Sequence, residues 1–209
     1  MVHILLVIIL GYVAGSFPTA VIVSRLLMKD DIRNHGSGNA GATNVFRVMG
    51  WKSGLVVVTV DIAKGLLAVL LIAPIAFSVP LDTVIIKIIV GFSAIIGHIW
   101  TVFAGFRGGK GVGTAFGVFL ALAPVASLIA FVVWTLLVFL TRYVSLGSLS
   151  AGFIFGLVVI IRKYFFKVDI PVPIMILAVV VVLLVFYTHR SNIKRLLQGK
   201  ENKLGEKKD

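Results

Sequence analysis

Gly113-Thr-Ala-Phe-Gly-Val-Phe-Leu-Ala-Leu-Ala123, followed at once by Pro124, is the stretch on which the topology of this chain turns. As a helix these residues rise only about 16 Å, roughly half the hydrocarbon thickness of a bilayer. Pro124 has no amide hydrogen to continue the helical ladder. The expectation is therefore a short or broken span over 113–123 that returns at Pro124, stable only where neighbouring helices cover its end. Whether it crosses decides on which side every later segment lies.

Working outward, apolar runs cover 4–27, 54–77, 83–104, 125–140, 149–161 and 172–187. The chain has 209 residues, 59% hydrophobic and 13% charged, with a mean hydropathy of +1.11. A soluble domain of this size cannot bury so much apolar side chain, so the surplus faces lipid. The fold class is thus an all-α polytopic membrane protein with about seven transmembrane helices.

Charge placement tests that count. With seven crossings and the N-terminus outside, the cytoplasmic segments hold Arg25, Lys29, Arg33, Arg47, Lys52, Arg107, Lys110, Arg142, Arg190, Lys194, Arg195, Lys200, Lys203, Lys207 and Lys208, 15 of the 20 basic residues. Lys87 and the group Arg162, Lys163, Lys167 fall outside, and Lys64 lies within a span. The positive-inside rule favours this arrangement, with the C-terminus cytoplasmic. Without the 113–123 crossing the basic tail would lie outside, which the same rule disfavours.

The formal charge of +12 sits between apolar spans rather than on a soluble face, so nucleic acid is not the expected partner. Cysteine is absent, which removes disulfides, thiolate metal sites and thiol nucleophiles. The first run has no Lys or Arg before it and is longer than a signal-peptide core, so it reads as a retained helix. No internal repeat or linker divides the chain. It reads as one domain over 1–209, with 198–209 a solvated cytoplasmic tail.

Polar chemistry is concentrated in His35, Gly36, Ser37, Gly38, Asn39, Ala40, Gly41, Ala42, Thr43, Asn44, Val45, Phe46 and Arg47. Glycine lets backbone N–H groups approach a ligand, Ser, Thr and Asn add hydrogen-bonding groups, and Arg47 adds a forked cation, a combination suited to a phosphate. A flexible surface loop has the same composition. Three further clusters share the cytoplasmic face in this topology: Phe106, Arg107, Gly108, Gly109, Lys110, Gly111; then Arg142, Tyr143, Val144, Ser145, Leu146, Gly147, Ser148; and His189, Arg190, Ser191, Asn192, Ile193, Lys194, Arg195. Four loops are therefore expected to converge on one site. The turn at 108–111 encloses a lone lysine but lacks the spacing and the Ser/Thr of a Walker A loop; the helix beginning at Gly113 aims its positive end at it.

Asp61 and Lys64, three apart, share a helix face and are expected to neutralise each other as a structural ion pair. His98 is expected to be a hydrogen-bonded interior residue. The remaining histidines, His3, His35 and His189, are too dispersed for a metal-ligand set. Trp51 and Trp100 are placed to act as headgroup-level anchors. No histidine has an Asp five positions on, and there is neither a Gly-x-Ser-x-Gly elbow nor a carboxylate cluster for a divalent metal. An enzyme with this inventory works mainly by positioning and electrostatics.

Taken together, Ser37-Gly-Asn-Ala-Gly-Ala-Thr-Asn44 with Arg47, Asp61 through Gly65, Gly97-His98, Gly108-Gly-Lys-Gly111, Arg142-Tyr-Val-Ser145 and His189-x-x-Asn192-Ile-Lys-Arg195 resemble, in order and over nearly the whole chain, the PlsY family of bacterial inner-membrane acyltransferases. The resemblance implies seven helices, an outside N-terminus and a cytoplasm-facing site that transfers a fatty acyl group from acyl phosphate to the 1-hydroxyl of sn-glycerol 3-phosphate, without acyl-CoA or acyl carrier protein as direct donor. It implies no cofactor or metal, and a functional link to the enzyme that forms acyl phosphate. Departures from the family pattern are Ala40 and Thr101 where Pro is usual, Gly113 where Ala is common, and Ser191 where Glu usually precedes the Asn.

On that basis the expected catalytic residues are Ser37, Arg47, Lys110 and Asn192. The expected substrate-binding residues are Gly38, Asn39, Gly41, Ala42, Thr43, Asn44, Gly108, Gly109, Gly111, Ser145, His189 and Arg190. The 37–44 loop would cradle the acyl-phosphate phosphate, Arg47 and Lys110 neutralise charge, Ser145 and Asn192 orient glycerol phosphate, and His189 and Arg190 stand at the rim. The acyl chain would run between helices into membrane lipid. The competing reading is a transporter or flippase of an anionic small molecule or lipid phosphate, against which stand the missing repeat and the polar clusters gathered at one face.

Overall fold

The computed structural model of the chain describes residues 2–205. Met1 and residues 206–209, with Lys207 and Lys208 of the charge count and the end of the expected tail, lie outside the described residues. Regular structure among the described residues is helical: α1 (Val2–Gly15), α2 (Thr19–Met28), α3 (Ala42–Met49), α4 (Trp51–Leu67), α5 (Thr83–Ile99), α6 (Val112–Leu122), α7 (Pro124–Thr141), α8 (Val144–Tyr164), α9 (Val172–Thr188) and α10 (Arg190–Leu197). Five segments are long and apolar enough to cross a bilayer: Val2–Met28, Trp51–Ala76, Thr83–Ala104, Pro124–Thr141 and Val144–Tyr164. Counting α9 with α10, bent by 60° between them, as one span makes six among the described residues, against the seven expected; α6, at 11 residues, is a shorter apolar helix. This is an integral, multi-pass membrane protein.

The chain forms two compact units, Met1–Ala121 and Leu122–Asp209. In the first, α1 lies along α5 on small residues: a side chain at Gly15 would overlap the Ala94 backbone, and one at Gly97 the Tyr12 carbonyl. Val7, Ala68, Ala73, Ile86, Val90 and Ala94 form the apolar core there. A second core of Ala20, Val21, Ile32, Val45 and Val57 lies under the polar loop. The short α6 is covered as expected, because Gly117 abuts the Ile62 carbonyl and Gly65 the Thr114 carbonyl. Backbones this close gain dispersion contacts that bulkier residues would forbid.

The first run is not one continuous helix. Pro18 lacks an amide hydrogen, and the helix breaks between Gly15 and Thr19. Carbonyls freed at a break inside a membrane need donors. Lys64 Nζ donates to the Phe17 carbonyl at 3.0 Å and Thr101 Oγ1 to the Ser16 carbonyl. Thr101, where the resembled family usually has Pro, thus supplies a bond that Pro could not.

In the second unit α7 and α8 form a hairpin joined at Arg142, which adopts a left-handed φ of 60°. Gly147 on α8 fits against Trp134 and Val138 on α7. Large apolar side chains such as Leu136, Phe139 and Leu183 remain exposed, as expected of surfaces turned to lipid.

Candidate active site

The polar loop of the first unit is built around Asn44. This side chain is 1% exposed. Its Oδ1 accepts the Ser37 N–H at 2.8 Å, and its Nδ2 donates to the Ile32 carbonyl at 3.1 Å and the His35 carbonyl at 2.9 Å. Both amide hydrogens are therefore used inside the loop. Asn44 shapes the loop rather than offering a donor to a ligand.

Upstream, Asp31 starts the single turn Ile32–Asn34 by accepting the Arg33 N–H at 3.0 Å. It also pairs with Arg33 through two bonds, at 2.9 and 2.8 Å. These hydrogen bonds from Arg33 hold the Asp31 carboxyl well below the usual carboxylate range and raise the Arg33 guanidinium. Asp30, bonded by the Asp31 N–H, His35 and Asn34, is likewise lowered. The loop then runs through exposed Ser37 and Gly38 into half-buried Asn39, Gly41, Ala42 and Thr43. Gly41 caps α3 without a side-chain bond, so the first N–H groups of α3 are directed out of the helix end. Arg47, half-buried, is on the last turn of the same helix.

The 108–111 turn is pinned beside the end of α5. Gly108 N–H donates to the Ile99 carbonyl at 3.0 Å and Gly109 N–H to the His98 carbonyl at 3.2 Å. Gly111, with φ of +83°, reverses the chain into α6, a conformation that favours glycine. Lys110 stands half-buried between these two fixed points.

Beneath the turn lies a buried charged group. Asp61 Oδ1 is 2.9 Å from Lys64 Nζ, the ion pair expected from their spacing, and accepts from Thr19 Oγ1 at 3.2 Å. His98 is 7% exposed, but its Nδ1 stays 3.6 Å from Asp61 and has no hydrogen-bond partner among the described residues. The expected hydrogen bond of His98 is therefore not made at that nitrogen. A cavity of about 10 Å³ lined by Asp61, Lys64, His98, Thr101, Ala40 and Gly109 adjoins it, the room of about one water molecule.

In the second unit the structure joins Ser145 and Asn192 through a residue that the motif reading missed. Glu201, whose side chain is 1% exposed, accepts from Ser145 Oγ at 3.0 Å, Asn192 Nδ2 at 2.7 Å and Arg195 Nε at 2.7 Å. Burial pushes the Glu201 carboxyl up, but the bonds from Asn192, Arg195 and Ser145 outweigh it and leave the carboxyl below its usual value. Leu204 N–H donates to the Arg142 carbonyl at 2.8 Å, and Lys203 lies 5.6 Å from the Tyr143 ring. The part of the tail that contains these residues docks instead of remaining solvated. A lone carboxylate among Lys194, Arg195, Lys200 and Lys203 was the available signal in the sequence.

His189 also differs from its expected place at a rim. It is 3% exposed, and both its N–H and its Nδ1 meet the Val185 carbonyl, at 3.0 and 2.8 Å. It occupies the bend between α9 and α10, where the ladder would otherwise lose a partner. Arg190 is exposed and stacks on Tyr187 at 4.5 Å. The expected residues thus fall into two sets: 37–47 and 108–111 in the first unit, and Ser145, His189, Arg190 and Asn192 in the second. Among the described residues no group of three or more His, Asp and Glu side chains is placed to hold a metal ion.

The model of the family described as glycerol-3-phosphate acyltransferase matches residues 5–199. A glycerol-3-phosphate acyltransferase of Chlorobium luteolum is 40% identical over 229 residues, covering 98% of this chain and 97% of that one. One of Chlorobaculum parvum is 42% identical over 226 residues, with 98% and 97% covered. The crystal structure of PlsY (YgiH), an integral membrane glycerol 3-phosphate acyltransferase, in its glycerol 3-phosphate form superposes with a TM-score of 0.83 at 37% identity, covering 97% of this chain and 96% of that chain. Its lysophosphatidic acid form gives 0.80 at 36% identity, covering 97% and 95%. This chain belongs to the glycerol-3-phosphate acyltransferase family.

Proposed function

We propose that this chain transfers a fatty acyl group from acyl phosphate to the 1-hydroxyl of sn-glycerol 3-phosphate, yielding lysophosphatidic acid and inorganic phosphate. It would act as one catalytic unit in the bacterial inner membrane with its site toward the cytoplasm, as the first acylation in phospholipid synthesis, supplied by the enzyme that makes acyl phosphate. The observation that carries the reading is the likeness, over 97% of the chain, to a protein crystallised in a glycerol 3-phosphate form and in a lysophosphatidic acid form. Those two molecules differ by one acyl group on glycerol phosphate. The ordered glycine-rich motifs support the donor assignment, since both substrates then carry phosphate.

In this reading the hydroxyl oxygen attacks the acyl carbonyl carbon and the bond to the phosphate oxygen breaks. The hydroxyl proton passes to the departing phosphate, so no covalent enzyme intermediate is required. Ser37, exposed on the loop, and the outward N–H groups at the start of α3 bind phosphate oxygens. Arg47 and Lys110 neutralise the charge that gathers on the leaving group. Gly108, Gly109 and Gly111 hold Lys110 at a fixed height above α5. Asn44 acts by keeping the loop in shape, and Ser145 and Asn192 contribute to acceptor orientation with Glu201 holding their side chains.

The test is acyl transfer by the detergent-purified chain, offered labelled glycerol 3-phosphate with palmitoyl phosphate, palmitoyl-CoA or palmitoyl carrier protein separately, with chelator present. Lysophosphatidic acid from palmitoyl phosphate alone is expected. Product from either thioester would overturn the donor assignment, and vesicle uptake without any product would favour transport.

A further inference from the structure

The first unit carries a groove of about 660 Å³ that the proposed chemistry does not use. Its lining includes Arg25, Arg33 and Arg107 against one carboxylate, Asp31, with Phe103 on its wall. Arg33 is committed: it makes two bonds to Asp31 and a third, at 2.7 Å, to the Ala104 carbonyl. Arg25 is 62% exposed in its side chain and makes one bond to Asp31, at 2.9 Å. Arg107 is exposed, and among the described residues its side chain makes no hydrogen bond or ion pair. A rigid Asp31–Arg33 floor thus sits between two guanidinium groups with donors to spare, leaving a surplus of two positive charges.

Its depth in the membrane is legible as well. Two of the apolar spans end here, Val2–Met28 beside Arg25 and Thr83–Ala104 at Phe103 and Ala104. Ends of apolar spans meet the headgroup layer, where lipid phosphates lie. Phe103 is 61% exposed, an apolar wall that a solvated ion would not use but an acyl chain would. The groove also far exceeds the volume of an inorganic phosphate.

We propose that this groove binds the phosphate headgroup of an anionic phospholipid drawn from the bilayer, clamped by Arg25 and Arg107, with an acyl chain lying on Phe103. The site depends on the membrane-spanning fold and not on the identity of the acyl donor. Guanidinium groups suit it because they bind phosphate oxygens through two parallel bonds. Each arginine near a membrane surface contributes about fivefold to binding of acidic lipid, so removing both should cost roughly 25-fold.

The test uses the full chain in detergent micelles titrated with phosphatidylglycerol or phosphatidylcholine of the same acyl chains, with bound lipid counted by native mass spectrometry. The wild-type chain should retain one phosphatidylglycerol in preference to phosphatidylcholine, and millimolar inorganic phosphate should not displace it. The Arg25→Gln/Arg107→Gln chain should lose that lipid by about 25-fold, while Arg162→Gln, which is not part of the groove lining, keeps it. Should the double variant fail to fold, Arg107→Gln alone breaks no side-chain bond among the described residues and should show the fivefold loss. Equal retention by the Arg107 variant, equal binding of phosphatidylcholine, or displacement by inorganic phosphate would each overturn the proposal.

Discussion

Replacing Asn44 by Ala separates a residue that shapes the loop from one that touches substrate. The substitution deletes three hydrogen bonds, to Ser37 N–H, Ile32 C=O and His35 C=O. At about 1 kcal/mol net for each bond, the loss is about 3 kcal/mol. The Ile32 and His35 carbonyls keep the N–H bonds of His35, at 3.1 Å, and of Gly38, at 3.0 Å, and water can reach the exposed Ser37, so no buried group is left unsatisfied. The expected cost is therefore about 3 kcal/mol. It is measured by unfolding the purified chain in mixed micelles with increasing dodecyl sulfate, followed by far-ultraviolet circular dichroism, beside acyl-transfer activity. Asn39→Ala, in the half-buried part of the loop, serves as the comparison and should cost under about 1 kcal/mol. An Asn44→Ala chain with unchanged stability and no activity would refute the reasoning, because the amide would then serve the ligand and not the loop.

Lys110→Ala and Arg47→Ala should each lower acyl-transfer turnover by orders of magnitude while the helical circular dichroism signal persists; full activity in the Lys110 variant, read in the palmitoyl phosphate assay, would remove it from the site. Asp61→Asn should destabilise by about 3–5 kcal/mol, since it leaves the buried Lys64 charge without its carboxylate, and Asp61→Asn with Lys64→Met should recover most of that loss in the same unfolding titration. Glu201→Gln should cost about 1–3 kcal/mol by setting an amide against Arg195. Because the Glu201 carboxyl is lowered in the folded chain, its stabilisation is present above the unfolded glutamate value of about 4.3 and is lost as pH falls through the lower folded value. Unfolding titrations across that acidic range should show a shallower loss of stability in Glu201→Gln than in the wild-type chain.

By itself the sequence determined the helical membrane class, because runs of apolar side chains have no soluble solution at this length. It also located the Asp61–Lys64 pair, three residues apart on one helix face, and the two glycine-rich segments, whose composition reports local backbone demands. Even the short α6 was legible, since eleven apolar residues before a proline cannot span a bilayer unaided. The break at Pro18 carried a local signal as well, but continuous hydropathy across 4–27 hid it. What only the tertiary structure decided is which polar groups find one another. Asn44 reaches back to Ile32 and His35 rather than outward, Glu201 crosses 56 positions to Ser145 and returns to Asn192, and His189 turns inward to Val185. A side chain's residue type states how many bonds it can make, and its neighbours in sequence state which are near in a helix. Once helices pack, buried donors and acceptors must pair with whatever the fold brings within about 3 Å, and that partner is set by the path of the whole chain.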